Sequence, residues 1–247
     1  MERVIKRFPP APLLQLHRDR ADARWWATQS VDRPDVKLVE RLCPRGCVAV
    51  DVGANHGVCT TTLSRIAENV HAFEPQPAMY RLLRNAFRFN RRVTVHDVAL
   101  SDHVGEAELC IPLQPSGKPL DDLASIEECN TLDGLPVRRV LIRRARLDDF
   151  RFHGVGFVKI DVGEHQLAVI RGAGETLRRE RPALLIEAEQ HHKPDLAAQV
   201  ISYMSYLGYG GWFIWQGDLV PLERFDVRIH QWPGATDHAV NFVFRPA

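Results

Sequence analysis

A glycine-rich turn follows a run of apolar residues near position 50. The run 47–52 contains Asp51, and the turn after it contains Gly53, Asn55 and Gly57. Glycine allows close approach of a backbone to a ligand, and asparagine tolerates a left-handed conformation. A nicotinamide-dinucleotide fingerprint would need glycine at 53, 55 and 58, and two of these positions fail. The turn therefore fits S-adenosylmethionine (SAM), which has no phosphate, although an ordinary strand-to-helix turn is the alternative.

Two more acidic residues stand at the ends of the next two predicted strands. Glu74 ends the strand 70–74, and Asp97 lies near the end of the strand 93–98. A carboxylate at the second strand end can accept hydrogen bonds from both ribose hydroxyls, and Asp97 could accept one from the adenine amino group. A single acid is more often solvated or a helix cap. Acids at three successive strand ends together favour an adenosine site.

The elements that position these acids alternate between strand and helix. This alternation predicts an α/β fold, with a mostly parallel sheet that has helices on both faces and binds ligands at the carboxyl ends of its strands. Residues 1–34 are predicted to be a helical leader that packs on the domain edge or covers a pocket, and residues 35–247 form the main domain. The irregular stretch 112–136 is expected to cover the substrate, or else to be a tolerated surface insertion.

Composition excludes several classes of protein. The chain has 247 residues, of which 45% are hydrophobic and 26% charged, and its net charge is +1. These values exclude collagen, coiled coils, disorder and membrane insertion, and they argue against a nucleic-acid partner. The five cysteines show no pairing pattern, and the amino terminus has no secretory apolar core. Both features predict a reducing, cytoplasmic location.

The order of motifs from about residue 47 to residue 246 resembles the FkbM family of SAM-dependent methyltransferases. The motifs are VDVGANHG at 50–57, FEP at 73–75, VALSD at 98–102, RARLDDF at 144–150, VKID at 158–161, IRGA at 170–173 and NFVFRP at 241–246. The resemblance implies the class I (Rossmann-like) methyltransferase fold, with a seven-strand sheet and a final antiparallel hairpin. It also implies methyl transfer, usually to a hydroxyl oxygen of a small molecule, sugar or lipid.

The resemblance also assigns cofactor-binding residues, and it fails at one turn. It places the methionine part of SAM on Asp51, Gly53, Asn55 and Gly57, the ribose on Glu74, and the adenine on Asp97 and Val98. The family usually continues KID with V-E-G-x-E, whereas this chain has Val162, Gly163, Glu164, His165 and Gln166. Glu164 is either a displaced substitute for the missing acid or a surface residue.

A hydroxyl acceptor must lose a proton, so a general base is expected after the fourth or fifth strand. The candidates are Asp161, His165, Glu189, His191 and His192. An imidazole has an ordinary pKa of about 6.5, which favours His191 or His192 as the base and leaves Asp161 to position SAM or substrate. The further residues predicted to contact substrate are Ser125, Lys159, His165 and Glu189. Lys159 shares a face with Asp161 by the two-residue period of a strand, so the alternative is that it simply pairs with Asp161.

These residues predict a SAM-dependent O-methyltransferase that acts on a small-molecule acceptor. No group of potential ligands has convincing metal spacing, so no metal is expected. Two alternatives stay open, an NAD(P)-dependent oxidoreductase on a similar sheet and a catalytically silent SAM-binding scaffold. A homo-oligomer is also left open.

Overall fold

Eleven strands and seven helices make up the described part of the chain. The computed structural model describes residues 34–127, 134–189, 195–232 and 238–247. The strands are β1 (Val48–Val52), β2 (Asn69–Phe73), β3 (Val93–His96), β4 (Ala99–Leu100), β5 (Gly105–Pro112), β6 (Val137–Ala145), β7 (Val155–Ile160), β8 (Ala183–Glu187), β9 (Tyr209–Trp215), β10 (Asp218–Pro221) and β11 (Asn241–Pro246). The helices are α1 (Pro34–Leu42), α2 (Val58–Leu63), α3 (Pro77–Phe87), α4 (Gln166–Arg171), α5 (Gly174–Glu180), α6 (Leu196–Tyr206) and α7 (Val227–His230).

The main sheet has the strand order β3-β2-β1-β7-β8-β11-β9-β10. The first five strands in this order are parallel, and β11 runs antiparallel to both β8 and β9. This confirms the predicted class I methyltransferase architecture with an antiparallel carboxyl-terminal part. The parallel strands β1 and β7 have their carboxyl ends on the same side of the sheet. The site residues predicted to follow these two strands lie on that side.

The predicted count of seven strands is wrong by one, because β10 adds an eighth strand. It pairs antiparallel with β9, so that Asp218 lies opposite Trp215. The two residues between them, Gln216 and Gly217, have φ angles of 52° and 87°. Positive φ at both central residues is typical of a tight hairpin turn whose twist matches that of the strands. The sequence signal for this extra strand was therefore the turn pair Gln216 and Gly217.

The central strands are buried on both faces, as expected for a parallel sheet covered by helices. Along β1 the side chains alternate between two cores. Val50 and Val52 belong to the larger core cluster, which also contains Ile170 and Leu184, whereas Ala49 faces the smaller one. This packing fixes the strand register and so fixes the positions of the residues at the strand ends.

Helix α1 closes the smaller core. Its residues Leu38, Val39 and Leu42 are buried there together with Leu63 of α2. Residues 1–33, which include almost all of the predicted leader, lie outside the described residues. None of the helices in the described ranges is both long enough and apolar enough to cross a bilayer.

A second, three-stranded sheet with the order β4-β6-β5 lies beside the predicted loop 112–136. The described part of this loop is irregular, as predicted, except for a 3-10 turn at Asp121–Leu123 and two isolated bridges. One bridge pairs Ser125 with Cys110 of β5. Residues 128–133 lie outside the described part. The small sheet therefore anchors both ends of the loop.

The five cysteines show no pairing pattern in the sequence, yet Cys110 is disulfide-bonded. Cys43, Cys47 and Cys59 are free thiols. Cysteine spacing could not reveal this bond, because its formation depends on the distance between side chains in the fold. The inference of a reducing compartment from the cysteines therefore loses its main support.

Candidate functional site

A cavity of about 380 Å³ lies at the carboxyl ends of β1, β2, β7 and β8. This volume falls within the usual range for small-molecule sites. Of the predicted site residues, those that line it are Gly53, Asn55, Glu74, Val98, Ser125, Lys159, Asp161 and His165. The sheet therefore brings together residues that are more than one hundred positions apart in the chain. Of the three strand-end acids, Glu74 lines the cavity and Asp51 lies next to the lining residue Lys159, whereas Asp97 is not among the lining residues.

The turn after β1 depends on glycine at two positions. Gly53 has a φ of 76°, and a Cβ there would lie 1.8 Å from the carbonyl oxygen of Asp161. Gly57 has a φ of 81°, and a Cβ there would lie 2.6 Å from Leu83. Asn55, between them, is also left-handed, with a φ of 46°. The turn therefore packs directly on β7 and α3, and this contact sets the floor of the cavity.

Asp51 and Lys159 form a buried charged group beneath this turn. Their strands β1 and β7 are paired, with Asp51 in register with Lys159. The Lys159 ammonium lies 3.5 Å from Asp51 and 3.3 Å from Asp161, and it donates to the Gly53 carbonyl at 3.0 Å. Burial alone would lower the pKa of Lys159, but the attraction of Asp161 and Asp51 raises it well above its usual value. Lys159 is therefore a positive charge that holds the turn and the two acids together.

Asp51 makes a second contact that explains its place in the motif. Its Oδ2 atom accepts a hydrogen bond from the Thr60 hydroxyl at 2.5 Å. Asp51 is fully buried, so its carboxylate links the strand to α2 and does not open directly into the cavity. A role for Asp51 in SAM binding stays a prediction, and its described contacts are structural.

Glu74 has the geometry that was predicted for a ribose-binding carboxylate. It lies just after β2, lines the cavity and is 6% exposed. One oxygen accepts from the backbone N–H of Asn55 and the other from the backbone N–H of Gln76, both at 2.8 Å. Desolvation raises the pKa of Glu74 to about 7 against the opposing effect of these two hydrogen bonds. Each oxygen keeps a lone pair for a further donor.

The two residues predicted to hold adenine separate in the structure. Val98 is buried and lines the cavity. Asp97 is not among the lining residues, and its exposed carboxylate accepts from Arg143 of β6 at 2.5 Å. Strand β3 ends at His96, so both residues lie just beyond the strand, where Asp97 is exposed and Val98 is buried. A contact between Asp97 and adenine stays a prediction that this arrangement does not support.

Residues of the 112–136 loop line the cavity and bind two of its other lining residues, and the predicted role of this loop in covering the substrate stays a prediction. Asp122 accepts from the Asn55 side chain at 2.8 Å, and Asp121 accepts from the Gln76 side chain at 2.5 Å. Ser125 lines the cavity, and its hydroxyl accepts from the Glu127 amide at 3.2 Å. The described segment 121–127 therefore forms part of the cavity wall. The sequence did not single out Asp121 or Asp122, although both belong to a loop that it marked.

His165 connects this loop to the body of the domain. Its Nδ1 atom lies 2.5 Å from the Glu127 carboxylate, and its Nε2 atom lies 3.0 Å from the Ser101 hydroxyl. Ser101 is fully buried and is not among the lining residues. Because both ring nitrogens already have partners, His165 is suited to hold the loop more than to accept a substrate proton.

The altered turn after β7 also has a structural explanation. The Gln166 side-chain nitrogen donates to the carbonyl oxygens of Gly163 and of Glu187, the latter at 2.6 Å. A carboxylate could not donate to two carbonyls, so the change from acid to amide suits this turn. Glu164 is partly exposed and is not among the lining residues, which favours its interpretation as a surface residue.

The remaining predicted residues lie away from the cavity or outside the described ranges. Glu189 is not among the lining residues, and its carboxylate lies 2.9 Å from Nδ1 of His238. His191 and His192 lie outside the described residues. Sequence reasoning missed Glu187, which lines the cavity at the end of β8. The signal that could have found it is the one that found Glu74, an acid at the end of a buried strand.

The cavity is strongly acidic. Among the described residues that line it, Lys159 is the one lysine or arginine. Five lining residues are carboxylic acids, namely Glu74, Asp121, Asp122, Asp161 and Glu187. Within the described ranges, no group of three or more histidine, cysteine or acidic side chains is arranged to hold a metal ion. The cavity therefore suits a ligand with positive charge and several hydrogen-bond donors.

A family model described as the methyltransferase FkbM domain matches residues 51–210. The match begins at Asp51 and includes every cavity residue named above. The chain belongs to the FkbM methyltransferase family. A comparison with the curated proteins finds no match at a significant level.

A solved structure of the same family agrees with the fold of this member of the FkbM family. A methyltransferase FkbM from Methylobacillus flagellatus has a TM-score of 0.53 at 16% identity, and the match covers 94% of this chain and 60% of that chain. The chain thus spans about three fifths of the length of that protein. A proposed methyltransferase from Streptococcus mutans, in complex with SAH, has a TM-score of 0.48 at 11% identity, with 87% and 97% coverage.

Proposed function

We propose that this FkbM methyltransferase binds SAM and transfers its methyl group to a hydroxyl oxygen of a small molecule, sugar or lipid. The observation that carries the proposal is Glu74. Glu74 follows β2 beside a cavity of suitable size, and the backbone N–H groups of Asn55 and Gln76 each donate to one of its two oxygens. A carboxylate in this position can accept from the two adjacent hydroxyls of a ribose.

The other cavity residues fit the rest of the cofactor. The Asn55 side-chain oxygen is buried and has no hydrogen-bond partner among the described residues, so it can accept from the ammonium of the methionine part. The turn at Gly53 and Gly57 carries Asn55 to this place, and Val98 supplies an apolar wall for adenine. When bound, SAM supplies a methyl group activated by a positively charged sulfur. We expect Asp51 to support the binding of the methionine part indirectly, through its contacts with Lys159 and Thr60.

The acidic lining also supports a choice of acceptor. SAM carries a net positive charge, which five lining carboxylates attract. The same carboxylates repel phosphate and carboxylate groups, because the charge of Lys159 is already shared between Asp51 and Asp161. We therefore propose a neutral or cationic hydroxyl compound as acceptor, and no nucleic acid.

The residues predicted to remove the proton from that hydroxyl differ in the contacts that they already make. Glu189 is engaged by His238, and His165 by Glu127 and Ser101. Asp161 lines the cavity with its side chain 39% exposed, and its carboxylate lies 3.3 Å from the Lys159 ammonium. We propose that Asp161 accepts a hydrogen bond that orients the acceptor, and that His191 or His192 takes the proton.

The two alternative functions differ in their support. Family membership argues against the oxidoreductase, as does the failed dinucleotide fingerprint. The catalytically silent scaffold rested on the altered turn after β7, and Gln166 satisfies that turn with two hydrogen bonds. Turnover separates the scaffold from an enzyme.

Calorimetric titration of SAM tests the proposal directly. Glu74→Ala should weaken binding by about 1.5–3 kcal/mol, the scale for hydrogen bonds to a charged group. The matched control is Glu106→Ala, because Glu106 is an exposed acid of β5 outside the cavity lining. Equal SAM affinity in the wild type and in Glu74→Ala would reject the ribose assignment.

Incubation with labelled SAM and fractionated source metabolites tests methyl transfer. We expect label in a neutral or cationic product, at a rate that EDTA does not change. Binding of SAM without transfer to any fraction would favour the scaffold. Loss of transfer on chelation, with recovery on addition of magnesium or zinc, would contradict the expected independence of metal.

A further inference from the structure

Two free cysteine thiols face each other at the end of the sheet opposite the cavity. Cys43 follows the last residue of α1, and Cys47 precedes the first residue of β1. Their sulfur atoms are 3.8 Å apart. The carboxyl end of β1 carries the cofactor turn, so this pair lies at the other end of the same strand. Neither thiol has a role in the proposed methyl transfer.

The chain between the two cysteines brings them together. Residues 44–46 form a tight connection in which Gly46 has a φ of 74°. Cys47 packs over Gly156 of β7, where an added Cβ would lie 2.7 Å from the Cys47 Cβ and 3.1 Å from its sulfur. A side chain at 156 would therefore displace Cys47 from its position beside Cys43.

The two thiols have different environments. Cys43 is buried, with 6% of its surface exposed, whereas Cys47 is only partly buried. The hydrogen bond from Cys43 lowers the pKa of Cys47 to about 7, although burial opposes this change. The same hydrogen bond, together with burial, raises the pKa of Cys43. Cys47 is therefore the accessible thiolate, and Cys43 is a protonated thiol beside it.

We propose that Cys43 and Cys47 are a redox-active dithiol, which small disulfides of the glutathione type oxidise to an intramolecular disulfide. The Cys47 thiolate attacks one sulfur of glutathione disulfide, forms a mixed disulfide and releases one glutathione thiolate. Cys43 then gives its proton to that thiolate and attacks the Cys47 sulfur, and the second glutathione leaves as a thiolate that solvent protonates. The protein pair loses two electrons, and one glutathione disulfide becomes two thiols.

The geometry needs little rearrangement for this step. A disulfide has a sulfur–sulfur distance of about 2.05 Å, so the two sulfurs must approach by roughly 1.8 Å. The bond would join the end of α1 to the start of β1. Helix α1 forms one side of the smaller core, next to Leu63 of α2, and α2 begins immediately after the cofactor turn.

Peptide mapping of the full chain tests the proposal without any substitution. The reduced protein is incubated with glutathione disulfide, alkylated, and cut with trypsin and with a protease that cleaves before aspartate. Cleavage after Arg41 and Arg45 and before Asp51 separates the fragments 42–45 and 46–50, and excludes Cys59 from both. We expect the two fragments to stay linked in most chains, with a mass two hydrogens below their sum.

Two single variants assign the roles. Cys43→Ala should accumulate glutathione on Cys47, because the resolving thiol is absent, and the pH midpoint of Cys47 alkylation should rise, because the hydrogen bond from Cys43 is lost. Cys47→Ser should leave Cys43 unmodified. A wild-type digest in which both fragments are fully alkylated, carry glutathione without a link, or are joined to another cysteine would overturn the proposal. The wild-type result decides even if a variant fails to fold.

Discussion

The Nδ1 atom of His165 lies 2.5 Å from a carboxylate oxygen of Glu127 and so joins the loop over the cavity to the turn before α4. The opposite ring nitrogen lies 3.0 Å from the buried Ser101 hydroxyl, which follows β4. The histidine thus contacts the loop on one side and the body of the domain on the other. We name the array of Ser101, His165 and Glu127 the loop fastening.

Glu127→Gln should weaken the loop fastening and loosen the segment 121–127. Loss of a charge-assisted hydrogen bond costs about 1.5–3 kcal/mol, so amide exchange in that segment should accelerate by roughly 10- to 150-fold. Hydrogen exchange followed by mass spectrometry measures this change, and Glu106→Gln is the control. Exchange in 121–127 at the wild-type rate would show that the Asp121 and Asp122 contacts hold the loop by themselves.

SAM affinity should rise as the pH increases toward and just past 7. Desolvation raises the pKa of Glu74 from 4.5 to about 7, and the ionised carboxylate is the better acceptor for ribose hydroxyls. Binding must therefore release a proton below about pH 7, which weakens affinity by up to tenfold per pH unit. Titrations between pH 5.5 and 8.5 measure the slope, and Glu74→Gln should flatten it. A wild-type slope that survives in Glu74→Gln belongs to another group.

The same shift has the opposite sign for stability without ligand. Below pH 4.5 Glu74 is protonated in both the folded and the unfolded state. Between 4.5 and about 7 the folded protein holds a proton that the unfolded chain has released. The contribution of Glu74 to the free energy of unfolding should therefore fall as the pH rises through this window. Denaturant unfolding of the wild type and of Glu74→Gln, compared at pH 5 and pH 8, isolates this contribution.

Gly53→Ala should be much more harmful than Gly117→Ala, although both glycines have a φ near 80°. The added Cβ at 53 would lie 1.8 Å from the Asp161 carbonyl oxygen, whereas a Cβ at 117 meets nothing within 4 Å. The left-handed backbone alone costs about 1–2 kcal/mol, and overpacking adds about 1–3 kcal/mol at position 53. Unfolding in urea measures both variants. Equal destabilisation would mean that the turn does not pack on β7 as described.

Replacement of the active histidine by alanine should lower methyl transfer by roughly 10²–10⁴ and leave SAM affinity nearly unchanged. His191→Ala and His192→Ala are assayed separately on the identified acceptor. Asp161→Asn should impair both transfer and binding, because Asp161 lines the cavity and contacts Lys159. Near-wild-type turnover in both histidine variants would leave the base to Asp161, or to an acceptor that is already ionised.

The sequence by itself determined the fold class and predicted two neighbours at the carboxyl edge of the sheet. Strand-helix alternation required a parallel sheet, and the carboxyl ends of parallel strands meet at one edge. The acid at the end of β2 and the turn after β1 had to be neighbours for this reason. Glu74 and Asn55 could be predicted, and the structure joins them by a hydrogen bond.

Only the tertiary structure decided which of the other candidates reach the cavity. Asp97 and Val98 are adjacent in sequence, yet Asp97 pairs with Arg143 outside the cavity and Val98 lines it. The partners of His165 come from positions 101 and 127, and Lys159 meets Asp51 of another strand in addition to the Asp161 that its own strand pattern had offered. Such pairings depend on the directions of side chains across strands and loops that are distant in sequence. Local residue patterns do not fix which distant side chains meet, because packing between elements sets these contacts.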